Sequence, residues 1–191
     1  ENRPALILLP ARMTGWKGHR EAIAAAALLA GRKVPSWQMI FAGDDQGREG
    51  YLEELRQLIA SHGLDDRIAM VGHCDDMPAA LALADIVIAP SNEPEAFGRV
   101  AAEAGAMGVP AIGSSIGAQG EIIAHGETGL IVPPANPPAL ADAIAGLLEG
   151  GLEGRKAMGA AAMARVRERF TTSALQQATL AVYDKLIGRP A

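Results

Sequence analysis

Short apolar runs alternate along the chain with longer segments in which apolar residues recur every three or four positions. The short runs are almost continuously apolar, which is typical of strands that are buried on both faces of a parallel sheet. They predict strands at 5–10, 36–43, 67–72, 85–91, 110–114 and 129–134. The segments between them predict helices at about 19–30, 50–61, 77–84, 99–107 and 119–125. This alternation predicts an α/β fold with a doubly wound, parallel, six-stranded sheet.

The pattern changes in the last part of the chain, where no further strand is predicted from Pro137 onward. Three helices are predicted there, at 139–148, 155–169 and 173–187. We therefore divide the chain into a sheet-containing domain at 1–150 and C-terminal helices at 151–191 that pack on the same domain. The chain opens on Glu1 and reaches a predicted strand at once, so we expect it to be part of a longer protein.

Composition excludes several classes of function. A net charge of -5 offers no basic surface for nucleic acid, so we expect no nucleic-acid partner. Cys74 is the only cysteine, which excludes an internal disulfide and a cysteine-based zinc site and fits a reducing compartment. No apolar run approaches the roughly 18 residues of a membrane-spanning helix, and no signal peptide is recognised. We expect a cytoplasmic protein.

The loops that follow the predicted strands carry most of the candidate chemistry, as expected where ligands bind at the carboxyl ends of parallel strands. The first of them, ARMTGWKGH at 11–19, contains Arg12 and Lys17 beside two glycines. Two cations on such a loop suit a pyrophosphate, whose charge needs compensation when it leaves. Solvated surface cations would give the same pattern.

The segment EAFGRVAAE, residues 95–103, carries a glutamate on each side of a predicted helix start. Free backbone N–H groups after Gly98 would accept phosphate oxygens. Glu103, about one turn further, would reach two ribose hydroxyls, and Glu95 would face the group on the distal phosphate. Acidic residues also stabilise helix starts through the helix dipole, so the spacing by itself fits both interpretations.

Two pairs of adjacent aspartates elsewhere in the chain do not predict a metal site. Asp44-Asp45 and Asp75-Asp76 are adjacent residues that point to different sides, and no third ligand lies nearby in the sequence, so we predict no metal. The first pair also suggests a phosphate-receiver domain, but no lysine follows the predicted fifth strand. Neither a G-x-G-x-x-G nor a Walker sequence is present, which argues against a dinucleotide fingerprint or a P-loop.

The order and spacing of these segments resemble the donor-binding half of retaining glycosyltransferases of family 4, also called group 1. The resemblance covers roughly residues 5–150, and its most specific part is EAFGRVAAE, preceded by Pro-Ser and followed by GVPAIGS. The family has the GT-B fold, in which two Rossmann-like domains enclose the active site. The resemblance implies that this chain is the C-terminal, donor-binding domain and that an N-terminal acceptor-binding domain is missing.

The resemblance also implies a role for each motif residue. Arg12 and Lys17 would hold the donor diphosphate, and Glu95 would contact the transferred sugar, as a nucleophile or as an orienting group. The other implied substrate-binding residues are Gly72, His73, Phe97, Gly98, Arg99, Val100 and Glu103. One departure is the run IGAQGE, which ends at Glu121: many relatives carry a Gly-Gly pair before the matching glutamate.

The function implied by the resemblance is glycan biosynthesis by a retaining, hexosyltransferase-type enzyme. It would move a sugar from a nucleotide diphosphate sugar to a hydroxyl acceptor, without a metal or a further cofactor. The isolated chain would be inactive without its N-terminal domain, through which the protein would associate peripherally with the inner face of the membrane. A non-catalytic nucleotide-binding regulatory module and a GT-B nucleotide-sugar epimerase domain stay open as alternatives.

Overall fold

All six predicted strands belong to one sheet in the computed structural model, which describes residues 3–188. The strands are Ala5–Pro10 (β1), Trp37–Ala42 (β2), Ile68–Gly72 (β3), Ile86–Ala89 (β4), Ala111–Ser114 (β5) and Gly129–Val132 (β6). They are parallel and lie in the order β3-β2-β1-β4-β5-β6. The predicted doubly wound, Rossmann-like fold is confirmed.

Helices connect the strands and cover the sheet. They are His19–Ala30 (α1), Glu49–Ser61 (α2), Met77–Leu83 (α3), Arg99–Ala106 (α4), Gln119–Ile122 (α5), Pro137–Glu149 (α6), Gly151–Arg169 (α7) and Thr172–Leu186 (α8). One turn of 3-10 helix, Gly15–Lys17, precedes α1. The fifth helix is shorter than the predicted 119–125, because Ile123 is extended and Arg165 of α7 donates to the carbonyls of Glu121 and Ile122, both at 2.8 Å.

Alternate residues of the central strand pack into two separate cores, one on each face of the sheet. Ile7 and Leu9 of β1 lie fully buried in the core that also contains residues of α1, α2 and α6. Leu8 faces the other way and packs with residues of α3, α4 and α5. Burial on both faces explains why the strands are almost continuously apolar rather than alternating.

The two C-terminal helices differ in how they contact the rest of the chain. Helix α7 packs along α4, and its Ala162 and Val166 are buried. It begins four residues before the predicted 155, and Arg155 donates to the carbonyl of Leu147 at 3.1 Å, which ties this first part of α7 to the end of α6. Helix α8 has no buried residue. The division of the chain at residue 150 stays a prediction. The outer ends of the two predicted units, residues 1–2 and 189–191, lie outside the described residues.

The strand order creates a crevice between two loops. Strand β1 pairs with β2 on one side and with β4 on the other, so the loops that leave β1 and β4 diverge to opposite faces of the sheet. Such a switch in strand order is where ligands bind in open α/β sheets. Within residues 3–188 no helix is both long and apolar enough to span a bilayer.

Candidate functional site

A cleft of about 510 Å³ lies at this switch point. The loop after β1 contributes Arg12 and Lys17, and the loop after β4 together with the first turns of α4 forms the opposite wall. The residues of that wall that the sequence predicted are Glu95, Phe97, Gly98, Arg99, Val100 and Glu103. Residues far apart in the sequence therefore surround one space.

Gly72 and His73 line a neighbouring cleft rather than this one. Both follow β3 and border a space of about 250 Å³, whose floor includes Met13 and Gly43. A third groove, of about 320 Å³, is lined by both Arg12 and His73 and so lies between the two clefts. Gly72 and His73 follow β3, which β2 and β1 separate from β4 and the glutamates, and Arg12 after β1 lies between them.

The two loops of the cleft are fixed against each other. Gly18, at φ 80°, packs directly on the backbone of Pro90, and any side chain at that position would collide with the Pro90 carbonyl. The backbone N–H of Asn92 donates to the carbonyl of Trp16 at 2.8 Å. These contacts hold Lys17 against the loop that carries Glu95.

An ion pair joins Lys17 to Glu95 across the cleft. The Nζ atom of Lys17 lies 2.8 Å from Oε1 of Glu95, and the two side chains are only 14% and 11% exposed. Ser91 donates a hydrogen bond to the same oxygen. The Lys17 ammonium also lies 4.1 Å from the ring centroid of Trp16, within cation–π range. Removing either charge would leave the other buried without its partner.

The start of α4 presents free backbone N–H groups to the cleft. Gly98 caps the helix with φ 74° and offers no side chain to accept from those groups. An anion in the cleft would therefore meet unpaired donors and the positive end of the helix dipole. Arg99 and Glu103 form an i, i+4 ion pair at 2.9 Å on the exposed side of the same turn.

His19 lies fully buried beneath the loop that carries Arg12 and Lys17. Its ring packs edge-on against Phe41, with centroids 5.2 Å apart, and among residues 3–188 neither ring nitrogen has a hydrogen-bond partner of good geometry. Burial lowers the pKa of His19 to about 4, which the nearby backbone of Thr14 and Ala11 only partly offsets. His19 is therefore neutral at physiological pH.

Two residues without a role in the sequence-based prediction, Ser91 and Trp16, contact the predicted ones. Ser91 belongs to the Pro-Ser pair before EAFG and contacts Glu95. Its position four residues before Glu95 is the feature of the sequence that could have indicated this contact. Trp16 is one of two tryptophans and directly precedes Lys17. Within residues 3–188 no group of three or more His, Cys, Asp or Glu side chains is arranged to hold a metal ion.

Known proteins resemble this chain over most of its length. A family model described as Glycosyl transferases group 1 matches residues 1–165. Over 156 residues the chain is 33% identical to the lipopolysaccharide core biosynthesis mannosyltransferase LpsB of Rhizobium meliloti. The aligned segment covers 80% of this chain and 44% of LpsB.

Two crystal structures show the same architecture. A glycosyltransferase from Rickettsia africae is 31% identical with a TM-score of 0.89, and the match covers 98% of this chain and 49% of that one. The Anabaena protein HepE in complex with UDP and glucose is 29% identical with a TM-score of 0.83, covering 95% of this chain and 48% of that one. The chain spans less than half the length of each of these three proteins.

Proposed function

The chain belongs to the glycosyl transferases group 1 family, and from that premise we propose that it binds the nucleotide diphosphate sugar donor of a retaining glycosyltransferase. In the whole enzyme the sugar passes to a hydroxyl acceptor. The observation that carries the proposal is the cleft at the switch point, where two cations, a helix start and two glutamates face one another.

The diphosphate of the donor is assigned to the cationic side of the cleft. Arg12 and Lys17 compensate its charge from the loop after β1, and the free N–H groups at the start of α4 donate to its oxygens. The negative charge on this group grows as the sugar bond breaks. Fixed positive groups at this position therefore stabilise the transition state more than the bound donor.

Glu95 is assigned to the sugar as an orienting group. Its Oε1 already accepts from Lys17 and Ser91, so Oε2 is the oxygen that we assign to a sugar hydroxyl. A carboxylate that is paired with an ammonium group is a poor nucleophile, because attack would require separating the pair in a poorly solvated site. This pairing favours orientation of the sugar over covalent catalysis.

Known relatives support a nucleoside diphosphate as the first ligand to test. HepE was crystallised with UDP and glucose, and LpsB is named a mannosyltransferase. Because the chain spans less than half of either protein, the activity of the whole enzyme, its acceptor and a cytoplasmic location remain part of the proposal. Release of free nucleoside diphosphate only in the presence of an acceptor would separate sugar transfer from epimerase activity and from simple binding.

The two glutamates are expected to respond differently to substitution. Glu103→Ala should weaken binding of both UDP and a UDP-sugar roughly ten- to a hundredfold, because a hydrogen bond to a charged group is worth about 1.5–3 kcal/mol. Glu95→Ala should leave UDP affinity nearly unchanged and weaken binding of the UDP-sugar. Calorimetry on the same variants measures both affinities.

Glu93→Ala is the matched control, since Glu93 is exposed in the same loop and does not line the cleft. If Glu95→Ala and Glu103→Ala both bound every ligand like the control, the glutamates would only stabilise the helix start. That outcome would remove the basis for the assignment of the cleft.

Donor binding is expected to need no divalent cation, because Arg12, Lys17 and the start of α4 supply the positive charge that a metal would otherwise provide. Nucleotide affinity should change less than about twofold, or 0.4 kcal/mol, between buffers with EDTA and with magnesium or manganese. Titration calorimetry in both buffers measures this. A large loss of affinity on chelation that either metal restores would contradict the assignment.

A further inference from the structure

The side chain of Gln119 bridges the carboxyl ends of two neighbouring strands. Gln119 is fully buried. Its Oε1 accepts from the backbone N–H of Ser114, the last residue of β5, at 3.1 Å, and its Nε2 donates to the carbonyl of Ala89, the last residue of β4, at 3.2 Å. The amide thus uses both of its ends to connect strands that lie side by side.

This bridge lies at the carboxyl end of the β4–β5 ladder. Val87 of β4 donates to the carbonyl of Pro110 at 3.0 Å, and parallel ladders use alternate residues of a strand for such bonds. The next bonding residue of β4 is Ala89, whose carbonyl would then accept from Ser114. A Cβ on Gly113, the residue of β5 that pairs with Ala89, would collide with Oε1 of Gln119, so the amide lies on the face of the sheet over the end of this ladder.

The Gln119 side chain lies directly beneath the start of α4. The Cγ atom of Gln119 would lie 3.2 Å from a Cβ on Gly98, so the side chain packs against the residue that caps this helix. The backbone N–H of Ala118, the preceding residue, donates to the carbonyl of Glu95 at 3.0 Å. One short segment therefore contacts both the helix start and the loop glutamate of the cleft.

We propose that Gln119 is a positioning residue for the donor: by joining the ends of β4 and β5 and packing against Gly98, it fixes the position of Gly98 and the course of the Glu95 loop. This inference rests on the proposed function, since the groups that it positions are those assigned to the diphosphate and the sugar. Gln119 does not line the cleft, so it would not touch the donor itself. It acts through the backbone of residues 95–98 only.

The test replaces Gln119 with methionine, which has a similar length and lacks both hydrogen-bonding groups. Thr128→Val is the matched control, because Thr128 is buried and its Oγ1 accepts from the Ala124 N–H, at 2.9 Å, near the amino end of β6. Two properties are measured for each chain: affinity for UDP, GDP and ADP by calorimetry, and amide hydrogen exchange without ligand at residues 95–100.

We expect Gln119→Met to weaken the nucleoside diphosphate that binds the unaltered chain at least tenfold and to speed exchange at 95–100 by a similar factor. Thr128→Val should change neither property. If Gln119 only stabilised the fold, Gln119→Met would have a lower melting temperature, and its nucleotide affinity and its exchange at 95–100 would match the control. This result would overturn the inference and leave the proposed function standing.

Failure of the proposed function gives a different result. If the unaltered chain bound none of the three nucleoside diphosphates, the assignment of the cleft would fail and the positioning role would fail with it, whatever the exchange rates. Should Gln119→Met not fold, Gln119→Asn keeps the amide on a shorter side chain and is measured in the same way. Wild-type affinity and wild-type exchange in Gln119→Asn would likewise overturn the inference.

Discussion

Lys17→Ala is expected to remove most of the sugar transfer of the complete enzyme. Turnover should fall roughly 10²–10³-fold, the usual effect of removing one preorganised group that stabilises developing charge. Two losses combine in this variant. The departing diphosphate loses a cation, and Glu95 loses the ammonium group 2.8 Å from its Oε1. The measurement is acceptor-dependent release of nucleoside diphosphate at saturating donor.

Lys33→Ala is the matched control for this prediction, because Lys33 is exposed just beyond the far end of α1. It should turn over like the unaltered enzyme. Lys17→Arg keeps the charge but changes the shape and reach of the group, so we expect partial recovery. Turnover of Lys17→Ala within a few fold of Lys33→Ala would show that Lys17 only pairs with Glu95 and takes no part in the transfer.

Acid is expected to destabilise the chain through His19 over a defined range of pH. The pKa of His19 is 6.5 when the chain is unfolded and about 4 when it is folded, because burial disfavours the charged ring. The unfolded state therefore binds more protons between these values, so the free energy of unfolding falls as the pH drops from about 6.5 to 4. The loss amounts to about 3 kcal/mol and is complete below the folded pKa.

His19→Phe isolates this effect, because it keeps a ring against Phe41 and has no group that titrates in this range. Denaturant unfolding at a series of pH values should show a flatter dependence for His19→Phe than for the unaltered chain. His62→Gln, at an exposed position, is the control and should keep the slope. Parallel curves for His19→Phe and the unaltered chain would mean that His19 stays accessible to protons in the folded state. Carboxylates such as Glu54, whose pKa the Arg20 hydrogen bond lowers, act in a more acid range and are common to all three chains.

The sequence could predict that the cationic loop and the glutamates lie at the same edge of the sheet, because this placement follows from local signals. Apolar runs locate the strands, and polar residues after a parallel strand lie at one edge of the sheet. Arg12, Lys17, Glu95 and Glu103 were identified in this way, with the family resemblance assigning their roles. The helix at 99–107 was also predicted within one residue, because Gly98 and the alanine-rich run mark its start.

The direct contacts within the site could not be predicted, because they depend on which strands are neighbours. The pattern of apolar runs does not state that β1 lies beside β4, and only this pairing brings Lys17 onto Glu95. For the same reason Gly72 and His73, which follow β3, border another cleft. The burial of Gln119 depends on two strand ends and one helix cap meeting at a single point, which no local pattern in IGAQGE indicates.

The contact of Gly18 with Pro90 has a consequence for the thermodynamics of binding. Together with the hydrogen bond from Asn92 to Trp16, it joins the two loops of the cleft through contacts within the chain itself. The conformational entropy of ordering these loops is therefore lost when the chain folds, and a ligand that enters the cleft does not have to order them again. Binding energy from the nucleotide of the proposed donor is thus not spent on ordering these loops.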